Sequence, residues 1–237
     1  MKNKKPKNKI NKQELLDYLE ERYRGIFDSQ SLNNHLEDYI GFTFADQVAP
    51  TVARQVPHGS QLLDVGSGFG SFVITAHDLG LKPFGLEIAQ YDAQYSLKRL
   101  EQEAPGLSNF SPFLCGSGKD LPYRNASFDA VTLWNVLEHI DFLDEMIKEV
   151  FRVLKPGGLV FIICPNYVAL RMEAHYQVIW PPLLPRPLAI FYLKLLGKNP
   201  EFFKHSIFYR TNWEILASLR KHHLKIRRLD GSPIKPD

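Results

Sequence analysis

Asp64 stands two positions before the run Gly66-Ser67-Gly68-Phe69-Gly70, and Glu87 follows twenty-one residues after Gly66. Small residues at that spacing let a ligand approach the main chain where the amides of a helix N-terminus face it. The third glycine comes one residue early for a dinucleotide turn, and an acid so close to the turn repels phosphate. The combination suits a cationic, phosphate-free nucleoside. Glu87 can then accept hydrogen bonds from both hydroxyls of a ribose. Farther along, Asn135, Glu138 and His139 bring an amide, an acid and an imidazole together. An unperturbed imidazole titrates near about 6.5, so His139 can take a proton from a hydroxyl acceptor. The alternative is that it caps the helix that follows.

These residues need elements to hold them. Leu62 to Val65 reads as a buried strand running into the glycine turn and then a helix, the opening of a βαβ unit. Pro83 to Ile88, Asn109 to Gly116 and Phe128 to Val136 read as further strands, with a helix over Ala89 to Glu103. A helix with Phe142, Leu143, Met146, Ile147, Val150 and Phe151 on one stripe follows, and Leu159 to Cys164 reads as a central parallel strand. The predicted fold is α/β, a doubly wound, mostly parallel, Rossmann-like sheet. On the N-terminal side, Asn11 and Glu14 cap a helix carrying Leu15, Leu16, Leu19 and Tyr23, and a second helical region lies between Leu32 and Val56. Thr211 and Glu214 form a capping box for a C-terminal helix, and Leu224 to Leu229 reads as a last strand.

The chain of 237 residues carries a net charge of +3, but six lysines fall in the first twelve residues with no acid among them. From Arg220 onward six Lys or Arg face two Asp, so the body between the two ends is acidic. That argues against a broad nucleic-acid-binding face. The lysine tail reads as a solvated arm, with contact to an anionic membrane or to RNA as the sharper reading. Cys115 and Cys164 lack the spacing of a metal or redox motif and read as buried thiols in a reduced compartment. No apolar run follows the lysines, so no secretory signal is expected and the location is cytoplasmic. Val178 to Leu196 is broken by four prolines and is not expected to span a membrane.

Five ordered motifs carry a resemblance: Leu62-Leu63-Asp64-Val65-Gly66-Ser67-Gly68-Phe69-Gly70; Gly85-Leu86-Glu87; Asp120-Leu121-Pro122-Tyr123 with Ser127-Phe128-Asp129; Asn135-Val136-Leu137-Glu138-His139; and Leu154-Lys155-Pro156-Gly157-Gly158. Together they resemble class I S-adenosylmethionine-dependent methyltransferases, of the small-molecule kind close to the ubiquinone pathway. The resemblance implies a seven-stranded type of sheet and S-adenosyl-L-methionine as cofactor. It implies that Gly66, Ser67 and Gly68 wrap the methionine part and that Asp64 holds the ammonium group directly or through water. Glu87 would bind the ribose hydroxyls, Ile88 would pack on the adenine, and Asn135 would contact the cofactor near its sulfonium. Ser117 and Gly118 stand where many relatives have an aspartate for the adenine amino group. Glu138 and His139 resemble part of a metal-binding pattern in ubiquinone-pathway O-methyltransferases, but Asn135 replaces its remaining glutamate, so no metal is expected.

The implied organisation is a basic tail over residues 1–12 and a single domain over 13–237, with a core at 61–166, a helical lid insertion at about 167–205, and a C-terminal helix and strand at 211–229. Only eight residues follow Leu229, so the final strand of the family sheet is missing, very short, or supplied by chain beyond Asp237. Aromatic residues of the insertion, from Tyr167 through Trp180 to Phe203, either face an apolar acceptor or pack the lid. His205 and Tyr209 are its substrate-facing candidates. The expected function is methyl transfer to an oxygen of a small apolar, aromatic, or lipid- or glycan-linked compound, with peripheral membrane contact through the lid or the lysine tail. RNA or protein methylation, cofactor binding without turnover, and an oxidoreductase are the competing readings.

Overall fold

The computed structural model describes residues 12–107, 112–169 and 171–226, with Arg171 described by its backbone alone. Strand β1 (Gln61–Val65) is buried from its second residue on because neighbours cover both its faces. Parallel to it run β2 (Lys82–Glu87) on one side and β4 (Phe128–Trp134) on the other, flanked by β3 (Phe113–Cys115) and β5 (Leu154–Ile163). The order β3-β2-β1-β4-β5 is doubly wound, reversing direction between β1 and β4.

Alternation along the strands divides the core in two. Leu63, Val65, Val131 and Leu133 meet Met146, Ile147 and Val150 of helix α6 (Leu143–Val153) and Ile215 and Leu219 of α9 (Asn212–Lys221). Leu62, Ala130, Trp134 and Phe161 face the other way, onto α3 (Thr43–Ala53) and α4 (Ser71–Asp78). Each fully buried side chain of this size contributes about 1.5–3 kcal/mol. The capping box of α9 forms as expected, Thr211 Oγ1 accepting from Glu214 N–H at 3.2 Å and a Glu214 carboxylate oxygen accepting from Thr211 N–H at 3.0 Å.

The N-terminal helical region is two helices, α2 (Ser29–Ile40), capped by Asp28, and α3. Together with α1 (Lys12–Arg22), α2 buries Leu15, Leu19, Leu32 and Leu36 against Phe69 of the glycine turn and Tyr95 of α5 (Gln90–Glu103). The expected cap Asn11 lies outside the described residues, as do Asn109 to Ser111 of the expected third strand.

Three expectations are corrected. Leu224–Ile226 forms no strand: Leu224 and Ile226 pack side chains on the core of α6 without a ladder partner, and 227–229 lie outside the described residues, so the central sheet has five described strands rather than seven. Cys115, at the end of the edge strand, is exposed and Cys164 is half-buried. The insertion is not purely helical, because an antiparallel ribbon of β6 (Arg171–Glu173) and β7 (Val178–Trp180) precedes α7 (Arg186–Leu195) and α8 (Glu201–Ser206). The Glu173 carboxylate closes the ribbon turn by accepting from Tyr176 N–H at 2.9 Å. Tyr167, Tyr176, Trp180, Leu193, Phe203 and Ile207 form a core of the insertion's own. Among the described residues no helix is long and apolar enough to cross a membrane.

Candidate active site

In a doubly wound sheet, ligands collect beyond the carboxyl ends of the strands where the order reverses. Here that point lies between the glycine turn after β1 and the segment Asn135–His139 after β4, and the two touch. Gly66 adopts φ +74°, and a Cβ placed on it would come within 2.5 Å of Val136 Cγ2. The amides of Gly66 and Ser67 both donate to Leu86 O (2.8 and 3.1 Å), folding the turn over the end of β2. Asn135, also at positive φ (+53°) and exposed, donates its N–H to Ile163 O at 2.8 Å.

The turn delivers amides to Glu87, which takes Gly68 N–H on Oε2 at 2.9 Å and Ala89 N–H on Oε1 at 3.0 Å. Each oxygen keeps an accepting position, enough for a pair of hydroxyls. Burial raises the Glu87 pKa and the two amides oppose the rise. Beside it Ile88 is 69% exposed, an apolar platform at a strand end. Ser117 Oγ accepts from Lys119 N–H at 3.2 Å, and Gly118 is buried with Met146 where a Cβ would stand. Asp64 is buried within β1, where Thr132 Oγ1 donates to its carboxylate at 2.6 Å. Burial drives its pKa from 3.8 up to about 7, with the Thr132 bond opposing and the Glu87 charge adding to the rise.

These residues fit a cationic nucleoside such as S-adenosylmethionine. Ser67 Oγ is buried with no hydrogen-bond partner, Glu87 has acceptor capacity to spare, Ile88 offers an open apolar face, and two carboxyls raised by burial favour a positive charge nearby. Among the described residues no three His, Cys, Asp or Glu side chains gather as a metal site.

His139 ends a 3₁₀ turn (Leu137–His139) and does not cap α6. Its Nδ1 lies 2.6 Å from Ser206 O, and a carbonyl only accepts, so Nδ1 carries the proton and Nε2 is the basic nitrogen. Burial first, then His175, lowers its pKa from 6.5 to about 4, so the ring is neutral at physiological pH. The His175 ring stands edge-on 5.1 Å away, with its Nδ1 2.7 Å from the buried Glu173 carboxylate. Arg210 grips the turn from below, Nε donating to Leu137 O at 3.1 Å and Nη2 to Ile140 O, while Phe208 N–H donates to Glu138 O at 2.6 Å.

Sequence reasoning missed Thr132, Arg210 and the Glu173–His175 pair. Thr132 and Arg210 act on residues 68 and 73 positions away through contacts made only in the fold, whereas Glu173 and His175 are near neighbours whose pairing follows from the turn of the ribbon they stand on. It also missed a run of neighbouring rings from the glycine turn to His139. Phe69, Tyr39, His35, Phe27, Phe202 and His139 follow one another at centroid distances of 5.9, 6.1, 5.7, 5.4 and 6.2 Å. The expected pair His205 and Tyr209 is not brought together. The His205 side chain is 75% exposed beside Glu201, whereas Tyr209 packs on Tyr167 and Phe203 in the insertion's own core. Arg186 sets this division by donating to the carbonyls of Phe203, Lys204 and Ile207.

A family model described as a methyltransferase domain matches residues 63–162. The chain is 37% identical over 107 residues to the 24-methylenesterol C-methyltransferase 2 of Oryza sativa subsp. japonica, covering 44% of this chain and 29% of that enzyme. It is 31% identical over 136 residues to the O-methyltransferase rstn1 of Aspergillus nomiae, covering 53% of this chain and 58% of the other. Both alignments thus span less than two thirds of the relative's length. The structure superposes with a TM-score of 0.54 on a Haemonchus contortus phosphoethanolamine N-methyltransferase 2 crystallised with S-adenosyl-L-methionine, at 19% identity over 75% of this chain and 36% of the other, a likeness of fold.

Proposed function

Residues 63–162 being a methyltransferase domain of the class I S-adenosylmethionine-dependent kind, we propose that this protein methylates an oxygen of a small apolar or aromatic acceptor, including one carried on a lipid or glycan. The observation that carries the reading is His139 in the segment after β4 that touches the glycine turn: Ser206 O holds the proton on its Nδ1, leaving Nε2 as a neutral base.

When bound, S-adenosyl-L-methionine supplies a methyl carbon on a cationic sulfur, which an acceptor lone pair displaces in line while sulfur keeps the bonding electrons. Gly66, Ser67 and Gly68 would hold the methionine portion, Glu87 the ribose hydroxyls and Ile88 the adenine face, with Ser117 and Gly118 beside it. Asp64 favours the ammonium charge from within the strand, and Asn135 stands at the carboxyl end of β4. His139 Nε2 takes the acceptor's hydroxyl proton, its ring held in that tautomer by Ser206 O. Arg210 and the Glu173–His175 pair position that ring. Since the displacement needs alignment more than bond-making help, positioning supplies much of the acceleration.

The test is transfer of labelled methyl from S-adenosyl-L-methionine by the purified chain to phenols, quinone precursors, carboxylates, sugars and lipid-linked glycans. Label on oxygen of an apolar acceptor is the expected outcome. Measurable cofactor binding with no transfer to any acceptor, or methyl found on nitrogen or carbon, would overturn the reading.

A further inference from the structure

Large apolar side chains that point into solvent are not scattered evenly over this molecule. Of thirteen such side chains among the described residues, seven lie between Met172 and Leu196. On α7, Ala189 and Leu193 face inward, while Leu188, Phe191 and Leu195 form a stripe on the opposite side, Phe191 65% and Leu195 72% exposed. The ribbon continues that surface. Met172 and Ile179 stand opposite each other in the β6–β7 register and are both exposed, and the Tyr192 hydroxyl of α7 donates to Ile179 O at 2.7 Å, fixing helix and ribbon side by side. Leu183 in the connecting loop is exposed as well. An apolar patch of this extent on a folded surface marks a place of contact.

The charge around the patch selects the partner. From Val178 to Pro200 the chain holds Arg186, Lys194 and Lys198 and no acid. Arg186 is spent on internal carbonyls, but Lys194 is exposed at the flank of the stripe, beside Phe191. A second copy meeting the same patch across a twofold axis would bring like charges together. The lysine-rich residues 1–12 are too polar to cover it. An aliphatic stripe with cations at its border suits an anionic bilayer surface, into which the apolar side chains sink while lysines reach the headgroups.

We infer that the outer face of α7 and the ribbon is a peripheral membrane-docking surface selective for anionic lipid. The inference goes beyond methyl transfer and does not rest on it.

The full chain is sedimented with vesicles of phosphatidylcholine alone and of phosphatidylcholine with phosphatidylserine. It is expected to partition onto the second and much less onto the first, and to be weakened by salt. The double variant Phe191→Glu, Leu195→Glu is expected to bind at least about tenfold less, and Lys194→Glu to bind less than the parent. Because both double-variant positions are exposed, the thermal melt should be unchanged. If that variant nevertheless fails to fold, Phe191→Trp serves instead, its added emission shifting to the blue on anionic vesicles. The inference is overturned by a parent that stays in the supernatant, by a double variant that binds like the parent, or by no blue shift. It is equally overturned if removing residues 1–11 alone abolishes binding, or if the parent elutes as a dimer that the double variant dissociates.

Discussion

Asp64→Asn tests the electrostatics of the glycine turn. In the fold, burial raises the Asp64 pKa from 3.8 to about 7. An acid raised in this way is neutral in the fold at pH values where the unfolded chain has already ionised. Its contribution to stability is complete below about pH 4 and is lost as pH rises towards 7. Each unit of difference is worth about 1.36 kcal/mol, and integrating the two titrations between pH 5 and pH 7 gives a loss of about 2 kcal/mol from this one carboxyl. The asparagine variant has nothing to titrate, so its stability relative to the parent should rise by about 2 kcal/mol across that interval and level off above pH 7. The constant cost of an amide beside Thr132 cancels in the comparison. The assay is urea unfolding of both proteins at pH 5, 6, 7 and 8 without ligand. A difference that stays within about 0.5 kcal/mol from pH 5 to pH 8, well below the effect calculated from linkage, refutes the reasoning. Calorimetry supplies the other side. A cation bound near Asp64 favours the carboxylate, so parent affinity for S-adenosyl-L-methionine should grow as pH rises from 5 to 7, and the variant should lose that growth.

Other outcomes are expected from the same geometry. Glu87→Gln keeps the size of the side chain but loses the charge on which Gly68 and Ala89 converge, so cofactor binding should weaken by about 1–3 kcal/mol by calorimetry. For His139, a pKa lowered to about 4 means the base is unprotonated above that pH. At saturating cofactor, kcat should show no ionisation near 6.5, and a limb there that vanishes in His139→Gln would contradict the assignment. Arg210→Met removes the donors to Leu137 O and Ile140 O, so kcat should fall while cofactor affinity, measured separately, holds. Thr211→Ala breaks the capping box of α9 and should cost about 1 kcal/mol in urea unfolding.

The order of strands and helices was legible in the chain from Leu62 to Ile163, because a parallel sheet demands near-continuous apolar runs separated by glycine turns and striped helices. The glycine turn was legible for the same reason: Asp64, Gly66, Gly68 and Glu87 lie within one βαβ unit, whose contacts are local in sequence. Asn135 and His139 could be placed at the carboxyl edge of that sheet because they follow directly on β4. What the chain could not disclose alone was which way each side chain turned. Tyr209 and Trp180 lie in a stretch that reads equally as acceptor wall or lid core, and they pack as core because the insertion has to bury a face of its own. The tautomer of His139 depends on Ser206, 67 residues away, its lowered pKa on burial and on His175, and the grip of Arg210 reaches back 73 residues. Local patterning states where a chain can bend and which residues prefer burial. Contacts over such separations exist only once the sheet has brought the ends of its strands to one edge, and it is there that tertiary structure decides which groups are buried, paired and basic.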